Sequence, residues 1–99
     1  MSITQMTRFK SNQPEQMVNA YKTGKMLFEK HGAEWLRFSR FHSGPFTGEW
    51  LATSRYADWA AYGKAQEGLA NDPDYVKMMS QMQGFSEMTA RSIAVGVAE

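Results

Sequence analysis

The sequence predicts one α+β domain with the element order β-α-β-β-α-β. Three observations carry this expectation. Ninety-nine residues are too few to support two separate cores. An apolar share of 42% lies in the range of folded chains and above that of disordered ones. Stretches with apolar side chains at helical spacing alternate with segments rich in strand-favouring residues, punctuated by Gly, Pro and Asn.

Residues 2–10, SITQMTRFK, alternate loosely, with Ile3 and Phe9 on one face and Met6 on the other, as a strand requires. SNQPEQ then opens a helix. Asn12 is the expected N-cap, Pro14 falls in the first turn where its missing N–H does no harm, and Glu15 has capping-box spacing. Met17, Tyr21, Gly24, Phe28 and His31 follow at helical spacing, supported by Ala20 and Leu27. Lys30 and His31 suit the negative end of the helix dipole, and Gly32 suits its termination.

AEWLRFSRFH shows no helical stripe, and its Trp35, Phe38 and Phe41 favour a strand. SGPFTG is a turn and EWLATSR a returning strand, so residues 34–55 are expected as a β-hairpin with a loop slightly longer than the tightest kind. Ser54 is then the expected cap of a second helix, with Asp58 in its first turn and a stripe of Trp59, Tyr62, Gly63, Gln66 and Leu69. ANDPDY interrupts that helix. Asp72 as N-cap and Pro73 at the first position start another short helix, with Tyr75, Met78, Met79 and Met82 on one side. After QGFSE, the segment MTARSIAVGVA reads as the last strand. No linker or repeat divides residues 1–99.

Two β-α-β units joined by a hairpin fold into a four-stranded antiparallel sheet with both helices on one face. Right-handed crossovers then give the strand order 4-1-3-2, the ferredoxin-like arrangement. One sheet face stays bare. In either register the strands put large apolar groups on both sides: Trp35 and Phe41 against Leu36 and Phe38, Leu51 against Trp50 and Ala52. IAVGVA is apolar on both sides as well. A bare apolar face exceeds what a soluble monomer usually shows, so a homodimer, packed sheet against sheet, is expected.

The composition removes several function classes. Without cysteine there are no disulfides, thiolate metal sites, iron–sulfur clusters or thiol catalysis. Eleven basic and ten acidic residues alternate without forming blocks, whereas nucleic-acid binding needs a concentrated basic face. An RNA-recognition motif shares the element order, but its third strand opens with a basic residue and alternates aromatics; here that strand is EWLATSR. No apolar run nears the roughly 20 residues that span a bilayer, and MSITQMTRFK lacks the apolar stretch of a secretory signal, so no membrane association and a cytoplasmic location are expected. His31 and His42 lack metal-ligand spacing and no carboxylate cluster adjoins them, so no metal is expected. Nucleophile elbows, phosphate loops and paired catalytic carboxylates are absent, and Asp72 and Asp74 read as helix-start residues.

Eight methionines and thirteen aromatic residues are the unusual feature. Tyr21 and Phe28 on the first helix, with Trp59 and Tyr62 on the second, are expected to point at the sheet. Trp50 and Phe38 share one sheet face because they occupy facing strands of the hairpin. Together these six can wall an apolar cavity in which tyrosine hydroxyls fix the orientation of a ligand. His42, closing the second strand two residues after Arg40 on the same face, is placed to orient a polar ligand group at a pocket mouth or to act as a general base, and His42 and Arg40 are the candidate catalytic residues.

The segment GEWLATSRYADWAAYGKAQEGLANDPDYVKMM, residues 48–79, resembles the dimeric α/β-barrel superfamily. That group includes antibiotic-biosynthesis-type monooxygenases, stress-responsive barrel proteins and NIPSNAP-like proteins. The likeness lies in a tryptophan-containing third strand, a Ser-x-aromatic-x-acidic-aromatic helix start and an Asp-Pro break before the last helical turn. It implies two sheets closing a barrel and an apolar pocket in each subunit between sheet and helices. It also implies a small-molecule-binding protein of the cofactor-independent monooxygenase kind, acting on an aromatic or apolar metabolite. In that chemistry the substrate reacts with oxygen itself, and the protein supplies a dry pocket, orienting hydrogen bonds and at most one base. The haem-degrading branch uses an asparagine on the first strand and a tryptophan–histidine pair on the second helix. Here the first strand has no Asn and the second helix no His, which argues against haem degradation. The other expectation is a non-catalytic carrier or sensor of a lipid-like ligand.

Overall fold

The computed structural model describes residues 1–98. Its elements are β1 (Ile3–Lys10), α1 (Pro14–Lys30), β2 (Trp35–Arg40), β3 (Trp50–Tyr56), α2 (Trp59–Ala70), α3 (Pro73–Met82) and β4 (Glu87–Val95). All neighbouring strands are antiparallel in the order β2-β3-β1-β4, the ferredoxin-like topology the sequence predicts. The second helix breaks at Asn71–Asp72 and a ten-residue α3 follows α2, as the ANDPDY segment predicts. α1 lies against β2 and α2 against β3, while α3 rests on α1 and α2.

Strand periodicity decides what each face carries. On β1, Ile3, Gln5, Thr7 and Phe9 are all buried, and the residues between them are half-buried. The pairing register places Leu36, Phe38, Trp50, Ala52, Ser54 and Tyr56 on that same, helix-covered side. The opposite side carries Met6, Leu51 and Trp35, but also Thr4, Thr53, Ser39 and Ser92 and the arginines Arg8, Arg37 and Arg55. It is therefore more polar than the sequence led us to expect, because alternation sends the heavier aromatics of both hairpin strands inward. Edge strand β4 is the greasier surface. Its helix-side residues Met88, Ile93 and Val95 are 43%, 44% and 39% exposed.

Two expected caps are replaced. Asn12 does not cap α1: Gln13 occupies that position without a side-chain bond, and its N–H donates to Ser11 Oγ instead. Ser54 does not cap α2: it is buried in β3, and Asp58 accepts from the Ala61 N–H at 2.8 Å. Asp72 does cap α3, accepting from the Asp74 N–H at 3.0 Å. The stripe of α2 also differs, with Ala65 and Leu69 buried and Trp59 51% exposed. The loop joining β2 and β3 spans residues 41–49, longer than expected. It turns on Gly44 and Gly48, whose φ values of 96° and 87° favour glycine, and it lays Phe46 over the Arg8 guanidinium at 3.5 Å.

Candidate functional site: a cavity between sheet and helices

A partly open cavity of about 50 Å³ lies between the covered sheet face and helices α1 and α3. Its sheet side is formed by Gln5, Thr7, Phe9, Leu36, Phe38 and Ser54, and α1 above them supplies Tyr21, Gly24 and Phe28. α3 closes it with Tyr75 and the methionines Met78, Met79 and Met82. This wall is apolar and adaptable, since thioether side chains have three rotatable bonds and fill irregular gaps. Gly24 lets the wall come close: a Cβ there would lie 3.4 Å from Leu36 Cδ2 and 3.6 Å from Met78 Sδ.

Three polar side chains sit in this apolar setting on the sheet. Gln5 accepts a hydrogen bond from the Tyr62 hydroxyl at 2.8 Å, Thr7 Oγ1 accepts from Arg91 Nε at 3.2 Å, and Ser54 Oγ accepts from the Tyr56 hydroxyl at 3.1 Å. Gln5 and Ser54 face each other directly across β1 and β3. Arg91 itself reaches the cavity from the edge strand. Tyr56 is fully buried, and that burial pushes its hydroxyl above the ordinary tyrosine pKa, so it stays protonated as a donor.

Of the six aromatic residues picked from the sequence, Tyr21, Phe28 and Phe38 meet at the cavity. Tyr21 stacks on Phe38 at 5.6 Å between ring centroids, and its hydroxyl donates to the Leu36 carbonyl at 3.2 Å. Trp50 supports from behind, stacked on Phe38 at 5.4 Å. Tyr62 touches the site only through Gln5, and Trp59, edge-on to Tyr62 at 6.0 Å, faces outward. His42 and Arg40 lie outside the cavity. His42 is exposed in the 41–49 loop, and Arg40 covers the Trp50 ring at 4.7 Å while its Nε donates to the Gly48 carbonyl. Strand alternation puts Arg40 on the covered side, but at the strand's far end, beyond the cavity.

Gln5, Thr7, Ser54 and Arg91 were missed from sequence. The signal was present for three of them: Gln5 and Thr7 share the parity of Ile3 and Phe9, and Ser54 that of Trp50 and Ala52. Polar residues at core-facing strand positions need partners or a ligand.

A second polar cluster pins α3. His31 Nε2 bonds Asp72 Oδ2 at 2.8 Å, and Lys30 Nζ donates to the same oxygen at 3.2 Å. The His31 bond, then the Lys30 bond, hold the Asp72 carboxyl down at a pKa of about 2. At the other end of α3, Ser11 Oγ donates to the Phe85 carbonyl at 2.6 Å. Among the described residues no three His, Asp or Glu side chains converge on a metal position, and no helix is long and apolar enough to cross a membrane.

This architecture, a four-stranded antiparallel sheet with helices on one side, is a ferredoxin-like α+β fold that several solved structures share. Among solved structures, the chain is similar to a point mutant of SnoaB, a cofactor-independent oxygenase from Streptomyces nogalater. The TM-score is 0.76 at 13% identity, covering 99% of this chain and 95% of that one. It is also similar to an uncharacterised NIPSNAP domain protein from Burkholderia xenovorans, with a TM-score of 0.74, 18% identity and 99% and 96% coverage. A NIPSNAP family protein from Agrobacterium tumefaciens gives 0.76 at 11% identity, covering 97% of this chain and 86% of that one. No family profile and no curated protein sequence matches the chain.

Proposed function

We propose that this protein binds an aromatic or apolar small molecule in the cavity between sheet and helices, as a homodimeric barrel of the cofactor-independent oxygenase kind. The observation that carries the reading is an apolar chamber with a few convergent polar groups, the usual composition of a small-molecule site. Tyr21, Phe28 and Phe38 are its ligand-facing aromatics, Trp50 and Tyr62 hold Phe38 and Gln5 in place, and Trp59 contributes to the outer surface. The fold shared with SnoaB favours oxygenase chemistry.

At about 50 Å³ the chamber holds water-sized molecules, whereas an engineered cavity that binds benzene measures about 150 Å³. A larger ligand must therefore shift flexible wall side chains, such as the methionines of α3, or extend through the cavity's open side. The dimer reading rests on Met6, Leu51 and Trp35 on the bare face, together with exposed Met88, Ile93 and Val95 on β4. The arginines and threonines around them give a mixed interface with hydrogen bonds at its rim.

A specific observation favours a second reading, a carrier: among the described residues no His, Asp or Glu side chain lines the cavity. With no general base there, only a substrate that ionises unaided reacts with oxygen. Oxygen uptake by the purified protein with 1,4-dihydroxynaphthalene decides between the two. Uptake above the spontaneous rate, reduced in Phe38→Ala and unaffected in His42→Ala, supports the oxygenase. Saturable binding without extra uptake supports the carrier. Absence of both refutes the cavity as a ligand site. Sedimentation at micromolar concentration tests the dimer, which a stable single subunit would refute.

A further inference from the structure

α3 is a short wall with few fastenings. It is ten residues long, set between the Asn71–Asp72 break and Gly84, and it rests on two other helices, α1 and α2. Of its side chains only Met78 and Met82 are buried. Polar anchors hold its ends: Asp72 bonds His31 and Lys30 where α1 finishes, and Ser11 holds the Phe85 carbonyl beyond the last turn. A second space meets the same two methionines. A cleft of about 480 Å³ opens between α1 and α3, with exposed Gln16, Asn19, Thr23, Lys77 and Gln81 along it. Ala20, Met78 and Met82 line both this cleft and the chamber. The partition between the two spaces is therefore one methyl group and two flexible thioethers.

We propose that α3 is a gate: Met78 and Met82 are the door between cleft and chamber, and the Asp72 carboxylate, bonded to His31 and Lys30, is the latch that keeps it shut. Side chains beside an empty chamber have fewer packing partners on that side than in a filled core, so moving them forfeits less dispersion energy. The latch divides cleanly between two oxygens. Asp72 Oδ2 holds α3 to the end of α1, while Oδ1 caps α3 itself through the Asp74 N–H. When the Oδ2 bonds part, the cap travels with the helix, and α3 swings as an intact unit instead of melting. As an entry route the gate rests on the chamber being a ligand site; as a movement of α3 it does not.

The chain has no cysteine, so a single thiol placed under α3 reports its opening. Met78→Cys is compared with Met17→Cys, a fully buried α1 site that lines neither space, by labelling with dithiobis(nitrobenzoate) at rising sub-denaturing urea. Met78→Cys should react at a rate nearly flat in urea, because freeing one short helix exposes little surface. Met17→Cys should react only through global unfolding, with a steep rise. Asp72→Asn keeps the cap and removes the charge; it should speed Met78→Cys labelling about tenfold, with the slope still flat. Labelling of Met78→Cys as steep in urea as that of Met17→Cys overturns the gate. So does a flat rate indifferent to Asp72→Asn, since a thiol reached through a fixed opening does not feel the latch. Met82→Cys replaces Met78→Cys if that variant does not fold. Passage is read by stopped flow with tetralin, an apolar bicyclic probe: Asp72→Asn should raise its association and dissociation rates alike and leave its affinity unchanged. Faster labelling with unaltered tetralin rates overturns the route through α3. Failure of tetralin to bind counts against the ligand site instead, and the labelling still decides the movement.

Discussion

Gly63 and Gly68 are five residues apart on α2, yet replacing each with alanine should change stability in opposite directions. In an exposed helix interior the exchange stabilises, because glycine is about 1 kcal/mol poorer than alanine there. Gly63 is such a site: a Cβ built on it meets nothing within 4 Å. A gain of about 0.5–1 kcal/mol follows, with Tm raised by roughly 4 °C in a domain of this size. Gly68 is pressed against the imidazole of His31. A Cβ there would sit 3.1 Å from His31 Cγ and Cε1, and nearer still to Nδ1. The ring must swing away, and its 2.8 Å bond to Asp72 goes with it. Thermal unfolding followed by far-ultraviolet circular dichroism should therefore place Gly68→Ala below the unaltered protein and Gly63→Ala above it. In a His31→Ala background the clash has no second party, and Gly68→Ala should then stabilise. A Gly68→Ala variant that melts as high as Gly63→Ala refutes the wedge of His31 between α2 and Asp72.

Three further predictions follow from the same contacts. Asp72 titrates at about 2 when folded against 3.8 for an ordinary aspartate, so its stabilisation is fully present above the ordinary value and is lost as pH falls toward 2. Asn keeps the N-cap but removes the carboxylate, so the Tm difference between the parent and Asp72→Asn should shrink over that range; a difference independent of pH would contradict it. Met78→Ala, at a site 7% exposed, should lower stability by about 2–5 kcal/mol and strengthen tetralin binding by enlarging the cavity, both readable from melting curves with and without tetralin. Trp59→Ser, at a half-exposed site outside the cavity, should shift stability by less than about 1 kcal/mol and leave the tetralin-induced shift of the melting curve unchanged.

Much of this fold was readable from the chain. Pro14 and Pro73 mark true helix starts, Asp72 is a true cap, and the strand order follows from two β-α-β units and the handedness of their crossovers. The hairpin pairing of Phe38 with Ala52 and of Arg40 with Trp50 puts Phe38 and Trp50 on one face, as alternation requires. The errors concern Ser and Asn at element junctions. Ser54 precedes a helix and has a capping side chain, so local chemistry favours a cap. It is the extension of β3 to Tyr56 that carries it into the core. The site was less legible, because large aromatics draw attention while the polar groups that line the cavity are small. Trp59 has the spacing of a core residue yet is half-exposed, a matter of how α2 sits, which no local pattern encodes. Arg91 reaches the cavity only through the β1–β4 register, set by pairing between residues far apart in sequence.

That pairing has a consequence for how the molecule is made. Ile3 lies beside Val95, so β1, synthesised before the other strands of this sheet, waits for β4, the last of the four, before its second flank is filled. Until then β1 has an open edge, and Arg91 is not yet in place beside Thr7. Closing so distant a pair carries a loop-closure cost that slows folding, and Arg91 reaches Thr7 only once that pair has closed.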